Sequence, residues 1–505
     1  MGFLVVFCIL LLLYLVTELY DRGRRAQRSL PTRGLNSLIL SYINGVMNCF
    51  DGRDSVRRAC LKHEGHLFTY PQLGKWFVLA RSSSHIHDLC NAPEDILSME
   101  EAAEELLQLR HTVGPLFCQE TYHITAIRTS LNSNVSQRLR ELIDEVICCY
   151  KECVGSRIDP EDEWTAIPVF DAFSTMICRA SNRVFVGLPL CRNPDYIDIV
   201  RHFSSQIFFA GPIIKFLVPK FLRPAVGSVY RSYYGHHRRM LELTRHLIEE
   251  RKQRRQEHSS DVVNAIDWLI DVAPELDNQS AESLAMRLLN INFVALHTTT
   301  KVFLHALYHL AAQPEYISAL REEAELYLGR ECPLTWSKEQ LGRCVKLDSF
   351  FKETLRANPL SSITLSRLSL VDFTFADGTR VGAGHYLAVA SDSIHQDSKY
   401  YPQPQEFQPF RFSAMRGKPA EQEEYTSQDW VHRMTGTSDT FLAFGSGRHL
   451  CPGRFFASLE LKIFMAYLVL NYDVKMAREG MRPPNEWLGP MSEPSTKARV
   501  LFRRR

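Results

Sequence analysis

The chain has 505 residues, 45% of them hydrophobic and 23% charged, a balance that suits a folded globular protein and excludes a disordered one. Its 59 basic and 57 acidic side chains leave a formal charge of +2, which excludes a chain-wide electrostatic pull toward nucleic acid. Thirteen cysteines, an odd number without paired CxxC spacings, argue against a disulfide framework or a metal finger.

The first segment, MGFLVVFCILLLLYLVTELY, is nearly unbroken apolar sequence from Phe3 to Thr17, followed by Arg22, Arg24, Arg25 and Arg28. A cleaved leader carries its positive charge before the apolar run and a small-residue cleavage site after it, so residues 1–20 read as one retained transmembrane helix. Arginines stay on the cytosolic side, which puts everything after residue 21 in the cytosol. The short span suits a thin bilayer such as that of the endoplasmic reticulum.

Beyond the anchor, short apolar runs and turn residues up to about residue 95 predict a small strand-rich lobe. From residue 100 to about 330, apolar residues recur three and four apart, as in EEAAEELLQL and VSQRLRELIDEVICC, and predict helices. Cys148, Cys149 and Cys153 fall on one of these and read as buried or idle thiols. The segment IFFAGPIIKFLVPKFLRP is too broken by Gly211, Pro212 and Pro219 to span a bilayer; shallow membrane contact and buried core both fit it. Alternation around Asp377 and Gly378 predicts a hairpin, and the polar stretch Ser413 to Asp439 a surface insertion. The class is mainly α with minor β. Without a repeat or a linker, residues 21–505 read as one domain.

The chemistry concentrates in FLAFGSGRHLCPGRFFASLELK. A strand-like lead-in, glycines around one cysteine, and a helical pattern beginning near Gly453 present Cys451 at a turn. Gly445 and Gly447 give the backbone freedom to aim N–H groups at the sulfur, and Pro452 and Gly453 let a flat ligand approach. A helix N-terminus stabilises a thiolate.

This loop resembles the cysteine-ligand signature of the cytochrome P450 superfamily, F-x-x-G-x-[RH]-x-C-x-G, through Phe444, Gly447, His449, Cys451 and Gly453. The resemblance implies the cytochrome P450 fold, a helical haem-binding domain with small antiparallel sheets, and haem b (iron protoporphyrin IX) with the Cys451 thiolate on iron. Phe444 would pack by the sulfur and His449 would meet a propionate. The family's E-x-x-R pair is present as Glu353 and Arg356. Arg411, in EFQPFRF with Phe407, Pro409 and Phe412, completes it as buried scaffold; arginine's planar fork suits that place.

The family's distal-helix pattern [AG]-G-x-[DE]-T-T has its counterpart in NINFVALHTTTKVF, with Ala295 for the glycine, His297 for the acid, and Thr298 at the threonine position. A hydroxyl bonded back to the preceding turn can hold water and deliver protons. His297 either relays protons as well or only shapes the pocket. By the same analogy Arg367, in ITLSRLS, and Arg128, in YHITAIRTSL with Tyr122 and His123 nearby, would bind propionates; surface charge is the other reading for both. The H-T-T variant and segments such as LDSFFKETLR are similar to fungal members resembling ent-kaurene oxidases.

The activity implied is monooxygenation of a lipophilic small molecule, a terpenoid first and a polyketide or indole-derived metabolite second. The electrons would come from NADPH indirectly, since no nicotinamide or flavin fingerprint is present. NADPH-cytochrome P450 reductase, and cytochrome b5 besides, are the implied partners, with Arg448, Arg454 and Lys462 as a basic docking face. A thiolate-haem isomerase or dehydratase, a haem sensor or carrier, and a membrane structural protein are the alternatives.

Overall fold

The computed structural model describes residues 30–31, 40–72, 75–115, 121–158, 163–257, 264–274, 280–416 and 427–505. The anchor expected over residues 1–20 lies outside them, and among the described residues no helix is long and apolar enough to cross a membrane.

Helix α1 (Leu40–Lys62) opens the described chain and is kinked at Asp51, where φ is −121° and ψ is 25°. The lobe expected to be strand-rich therefore begins with a long helix. Strands β1 (Phe68–Gln72) and β2 (Lys75–Ala80) follow, then helix α2 (Ser83–Asn91), strand β3 (Leu97–Ser98) and helix α3 (Met99–Leu107). From far along the chain come β5 (Thr364–Ser369) and β8 (Tyr386–Val389); β4 (Thr165–Pro168), β6 (Phe373–Thr374) and β7 (Arg380–Val381) lie outside this sheet. The five-stranded sheet runs in the order β1-β2-β8-β5-β3. Its pairings are antiparallel except β2 with β8, where Phe77 faces Tyr386 and Ala80 faces Val389 in parallel register.

Side-chain alternation gives this sheet two apolar faces. Phe77, Leu79, Tyr386 and Ala388 pack with Val56, Ala59 and Cys60 of α1. Val78, Ala80, Leu387 and Val389 pack with Ile86 and Leu89 of α2. The hairpin expected around Asp377 and Gly378 is present as β6 paired with β7.

The helical part is built on α4 (Tyr122–Ala126), continued by a π-helical turn over Ile127–Leu131, then α5 (Leu139–Cys153), α6 (Val169–Phe185), α7 (Pro194–Leu217), α8 (Arg223–Tyr234) and α9 (His236–Gln256). Helix α10 (Ala265–Val272) and the long α11 (Ala281–Ala312) follow, then α12 (Glu315–Leu328), α13 (Val345–Ala357), the short α14 (Ser427–Val431) and α15 (Arg454–Asn471). Helices α11 and α15 are mostly apolar and are buried along most of their surface, α11 leaving one face open at Val294 and Thr298. Their Phe303, Leu304, Leu307, Ile463, Phe464 and Leu468 share one core cluster with Phe173, Ile177 and Tyr150. A three-stranded sheet in the order β4, β12 (Arg499–Arg504), β9 (Tyr472–Met476), and the hairpin β10 (Glu486–Leu488) with β11 (Met491–Glu493), complete the chain.

Between α6, α7 and α11 the core holds a closed polar triad. Tyr196 Oη donates to Asn182 Oδ1 at 2.8 Å, Asn182 Nδ2 donates to Asn292 Oδ1 at 2.7 Å, and Asn292 Nδ2 donates to the Leu288 carbonyl at 3.0 Å. Buried polar groups persist where each finds a partner. This triad fixes α11 against its neighbours six residues before Thr298.

Candidate functional site

The loop from Phe444 to Cys451 is closed by the Cys451 N–H, which donates to the Phe444 carbonyl at 2.9 Å. Gly445 and Gly447 have φ of +80° and +66°, angles that strain other residues. At Gly447 the constraint is double, because a Cβ there would stand 2.7 Å from the Cys90 carbonyl oxygen. A single 3₁₀ turn over Gly447–His449 then delivers Cys451 to the start of α15, whose N-cap is Gly453. The Sγ of Cys451 accepts the backbone N–H groups of Gly453 and Arg454. Burial pushes this thiol above its ordinary range, while the two N–H donors and the Arg454 guanidinium pull it back. A cationic metal against the sulfur would reverse that balance and hold it as thiolate.

Beside this loop lies a second polar corner. Arg367 on β5 is 2% exposed; its Nη1 donates to the Ser366 carbonyl at 3.0 Å, and its Nη2 is buried without a hydrogen-bond partner. His449 Nε2 stands 2.8 Å from Glu94 Oε2, and its pKa is lowered by burial first and then by the Arg367 charge. The structure thus brings His449 and Arg367 together, with Glu94 as an acidic neighbour that nothing in its sequence surroundings announces. An unsatisfied buried guanidinium nitrogen fits the carboxylate of a cofactor, and nothing projects into the space around Gly453, where a Cβ would meet no atom within 4 Å.

Arg128 stands apart. It is exposed on the π-helical turn, and the next turn is tied to the cysteine loop by Asn132 Nδ2, which donates to the Pro452 carbonyl at 3.1 Å. Tyr122 and His123 turn into the core instead; the Arg287 guanidinium lies 4.8 Å from the Tyr122 ring centre, and burial, then Arg287, holds His123 down to about 4.

Glu353, Arg356 and Arg411 meet in the interior. Arg356 donates from Nε and Nη2 to the two oxygens of Glu353, each at 2.8 Å, and Arg411 Nε reaches both oxygens at 3.2 Å. The remaining donors are used on main-chain carbonyls: Arg356 on His395, Pro404 and Glu406, and Arg411 on Pro402, Gln403 and Glu406. Two cations share one carboxylate in a sealed interior, and hydrogen bonds to main-chain carbonyls take up their remaining donors, the condition under which such buried charge is tolerable. They knit α13 to the segment 395–411 that leads toward the cysteine loop.

On α11, Thr298 is exposed and its Oγ1 donates back to the Val294 carbonyl at 3.0 Å, as the sequence predicts for a hydroxyl bonded to the preceding turn. His297 turns another way. A ring N–H of His297 is bonded to the Arg201 main chain on α7, its ring meets Phe208 edge to face at 6.4 Å, and its Nε2 is buried without a partner. Burial, then the Lys301 charge, holds it down to about 4, so it is neutral near pH 7. Lys301 itself is paired with Glu493 of β11.

The docking face expected from Arg448, Arg454 and Lys462 needs correction. Lys462 is 7% exposed and its Nζ lies 2.6 Å from Asp348 Oδ1, because its position on α15 faces α13 rather than solvent. Arg448 is exposed, and Arg454 is partly so. The cysteines of α5 match the expectation of idle thiols: burial pushes Cys148, Cys149 and Cys153 all upward.

A family model described as Cytochrome P450 matches residues 42–502. The chain is similar to cytochrome P450 monooxygenase 151 of Postia placenta, 35% identical over 483 residues that cover 95% of this chain and 94% of the relative. It is 31% identical to cytochrome P450 monooxygenase AN1598 of Emericella nidulans over 434 residues, 85% of this chain and 79% of that one. Cytochrome P450 monooxygenase paxQ of Penicillium paxilli is 28% identical over 497 residues, 96% and 94% of the two chains.

Proposed function

This chain belongs to the cytochrome P450 family, and from that premise we propose that it is a monooxygenase acting on a lipophilic small molecule, a terpenoid first, with electrons from NADPH through a separate reductase. The observation that carries the reading is Cys451 Sγ at the N-terminus of α15, with the Gly453 and Arg454 N–H groups directed at it. Haem, which the family implies, would supply the activation of dioxygen when bound. Cys451 would hold its iron through the thiolate, with Phe444 beside the sulfur and Gly447 holding the turn. Arg367 and His449 would receive the propionates, His449 by exchanging Glu94 for the cofactor's carboxylate.

The rest of the reading concerns what the side chains do. Thr298 Oγ1, anchored to Val294, holds a proton donor at the open face of α11. His297, directed toward α7, shapes that face by its bulk. Glu353, Arg356 and Arg411 keep the frame rigid, and residues 21–505 act as one catalytic domain.

Phe209, Leu217 and Phe221 are 74%, 74% and 68% exposed, while Lys215 is buried, so this part of α7 and the turn after it favours shallow membrane contact. Such contact fits a chain anchored by residues 1–20 in the endoplasmic reticulum, with its apolar substrate drawn from the bilayer. Arg448 and Arg454 beside the cysteine loop suit an acidic flavoprotein reductase or cytochrome b5.

The test is expression in a microsomal host with a matching reductase, followed by mass analysis of products from candidate terpenoids. Cys451→Ala should abolish the red-shifted carbon monoxide band of thiolate haem, and its persistence would refute the ligation. Product formed equally without NADPH would point instead to an isomerase or dehydratase.

A further inference from the structure

Helix α11 carries a charged pair that neither iron ligation nor the frame requires. Lys301, three residues after Thr298, is ion-paired with Glu493 of β11, and the two side chains are 16% and 36% exposed. Glu493 lies 192 residues further along the chain. Residues three apart on a helix are neighbours, with Cβ atoms about 5–6 Å apart. Thr298 is exposed, so its hydroxyl and the Lys301 ammonium share the open face of α11. The Lys301 Nζ also lies 6.0 Å from the centre of the Phe208 ring on α7.

The hairpin of β10 and β11 does not depend on this pair. It docks through main-chain groups: the Ser492 N–H donates to the Leu360 carbonyl at 3.1 Å, the Ser362 N–H to the Pro490 carbonyl at 2.7 Å, and the Gly489 N–H to the Cys49 carbonyl at 2.8 Å. At the hairpin tip the fit is so close that a Cβ on Gly52 of α1 would stand 2.4 Å from the Gly489 carbonyl oxygen. These contacts fix where Glu493 stands, and an ion pair this open adds little to stability. The histidines one turn to either side carry no charge near pH 7. Burial holds His297 and His305 below the usual imidazole range, with Lys301 adding to it for His297, and Arg482 and then Lys301 for His305.

Monooxygenation consumes protons, and a hydroxyl such as that of Thr298 can pass a proton on only if an ionisable group resupplies it. Its Oγ1 donates to Val294 and is therefore an acceptor toward the open face. The ionisable side chain next to it on that face is Lys301. An ammonium has three N–H donors, of which Glu493 takes one. We propose that Lys301, positioned by Glu493, supplies the protons that Thr298 passes to the reacting oxygen. This rests on the monooxygenase reading above. In sum, one dioxygen, two electrons from the reductase, two protons and one C–H bond give one C–OH group and one water. Each proton leaves a Lys301 N–H bond whose electron pair stays on nitrogen, and solvent at the exposed edge of Glu493 returns a proton to that pair. Neither side chain is oxidised or reduced.

Arginine separates proton supply from charge, because it keeps the pairing with Glu493 while its guanidinium does not give up a proton in proteins. The experiment uses the full chain in lipid with a flavoprotein reductase, and as probe a terpenoid that the expression screen shows to be oxidised. Lys301→Met and Lys301→Arg should both raise the peroxide released per NADPH roughly tenfold, and Glu493→Gln should raise it less. Product formed from added peroxide, which brings its own protons, should stay near wild type in all three. Without substrate, the infrared stretch of carbon monoxide bound to the reduced protein should move in Lys301→Met and hold in Lys301→Arg, since only the first removes a positive charge from the open face. Peroxide release at the wild-type level in Lys301→Arg would overturn the proposal in favour of a tie or a fixed charge. An unmoved stretch in Lys301→Met would overturn it too, by placing the ammonium out of reach of the bound gas. If Lys301→Met fails to bind haem, Lys301→Arg and Glu493→Gln decide by the peroxide criterion. Where no screened terpenoid is oxidised, the terpenoid reading falls, and the stretch with peroxide per NADPH in substrate-free protein decides the proposal. Wild-type protein that forms product equally without NADPH would instead refute the monooxygenase reading itself, and this proposal with it.

Discussion

Arg356 and Glu353 are joined fork to fork, Nε to Oε2 and Nη2 to Oε1, both at 2.8 Å and both side chains wholly buried. Arg411 closes on the same carboxylate. Removing the shared acid leaves two guanidinium groups in the interior with no counter-charge. Glu353→Gln should cost about 3–5 kcal/mol. Chemical denaturation of the purified protein would measure it, together with a fall in haem bound per chain.

Two glycines of the cysteine loop should behave differently when mutated to alanine. Gly447→Ala places a Cβ 2.7 Å from the Cys90 carbonyl at a φ of +66°, and should destabilise the protein by more than about 2 kcal/mol even without cofactor. Gly453→Ala meets nothing within 4 Å. Its apoprotein should unfold as wild type does, while haem retention falls if a flat ligand fills that space. Unfolding curves of both apoproteins, with haem-transfer rates of the holoproteins, separate the two cases.

Glu460 is fully buried on α15, with Ser181 Oγ donating to Oε1 at 2.8 Å and no partner on Oε2. Burial pushes its pKa up to about 8, against a small opposing pull from Ser181. A carboxyl whose pKa is higher folded than unfolded binds more protons in the native state, so stability falls as pH rises from about 4.5 toward 8. Near pH 7 the loss is on the order of 3 kcal/mol at most. Glu460→Gln keeps a polar group for Ser181 and removes the titration. Thermal unfolding should show the variant more stable than wild type at pH 8 and nearly equal to it at pH 5.

Thr298 and His297 should separate in turnover. Thr298→Ala removes the hydroxyl at the open face and should lower product per NADPH roughly tenfold or more, with peroxide released instead. His297, held neutral down to about pH 4, has no charge to lose between pH 6 and 8. His297→Gln should therefore leave the shape of the pH profile over that range unchanged, whatever it does to substrate affinity.

The legible part of this protein was the part written in local spacing. Cys451, Gly447 and Gly453 are close neighbours in sequence, so the turn they build could be read from order alone. Glu353 and Arg356 lie three residues apart on one helix, and Arg411 could be joined to them only through the family resemblance. What eluded the sequence depended on distant partners. Lys462 looked like a solvated cation because Asp348, the carboxylate that buries it, lies far back on another helix. For His297 the spacing leaves proton relay and pocket shaping both open, and only the fold shows that its ring, about 100° round the helix from Thr298, faces α7. Helix α1 was obscured by its weak apolar periodicity and by the kink at Asp51. The parallel pairing of β2 with β8 joins strands separated by most of the chain, which no local pattern encodes.

The buried charges under residues 432–436 have an evolutionary consequence. Because Asp348, Lys352 and Arg416 grip residues 432–436 through main-chain groups, the grip specifies a backbone path and leaves the side chains along it open to change. Mutation can thus vary the surface offered beside Cys451 while the frame that supports it stays intact. A lineage could vary that surface without reworking the interior on which folding depends.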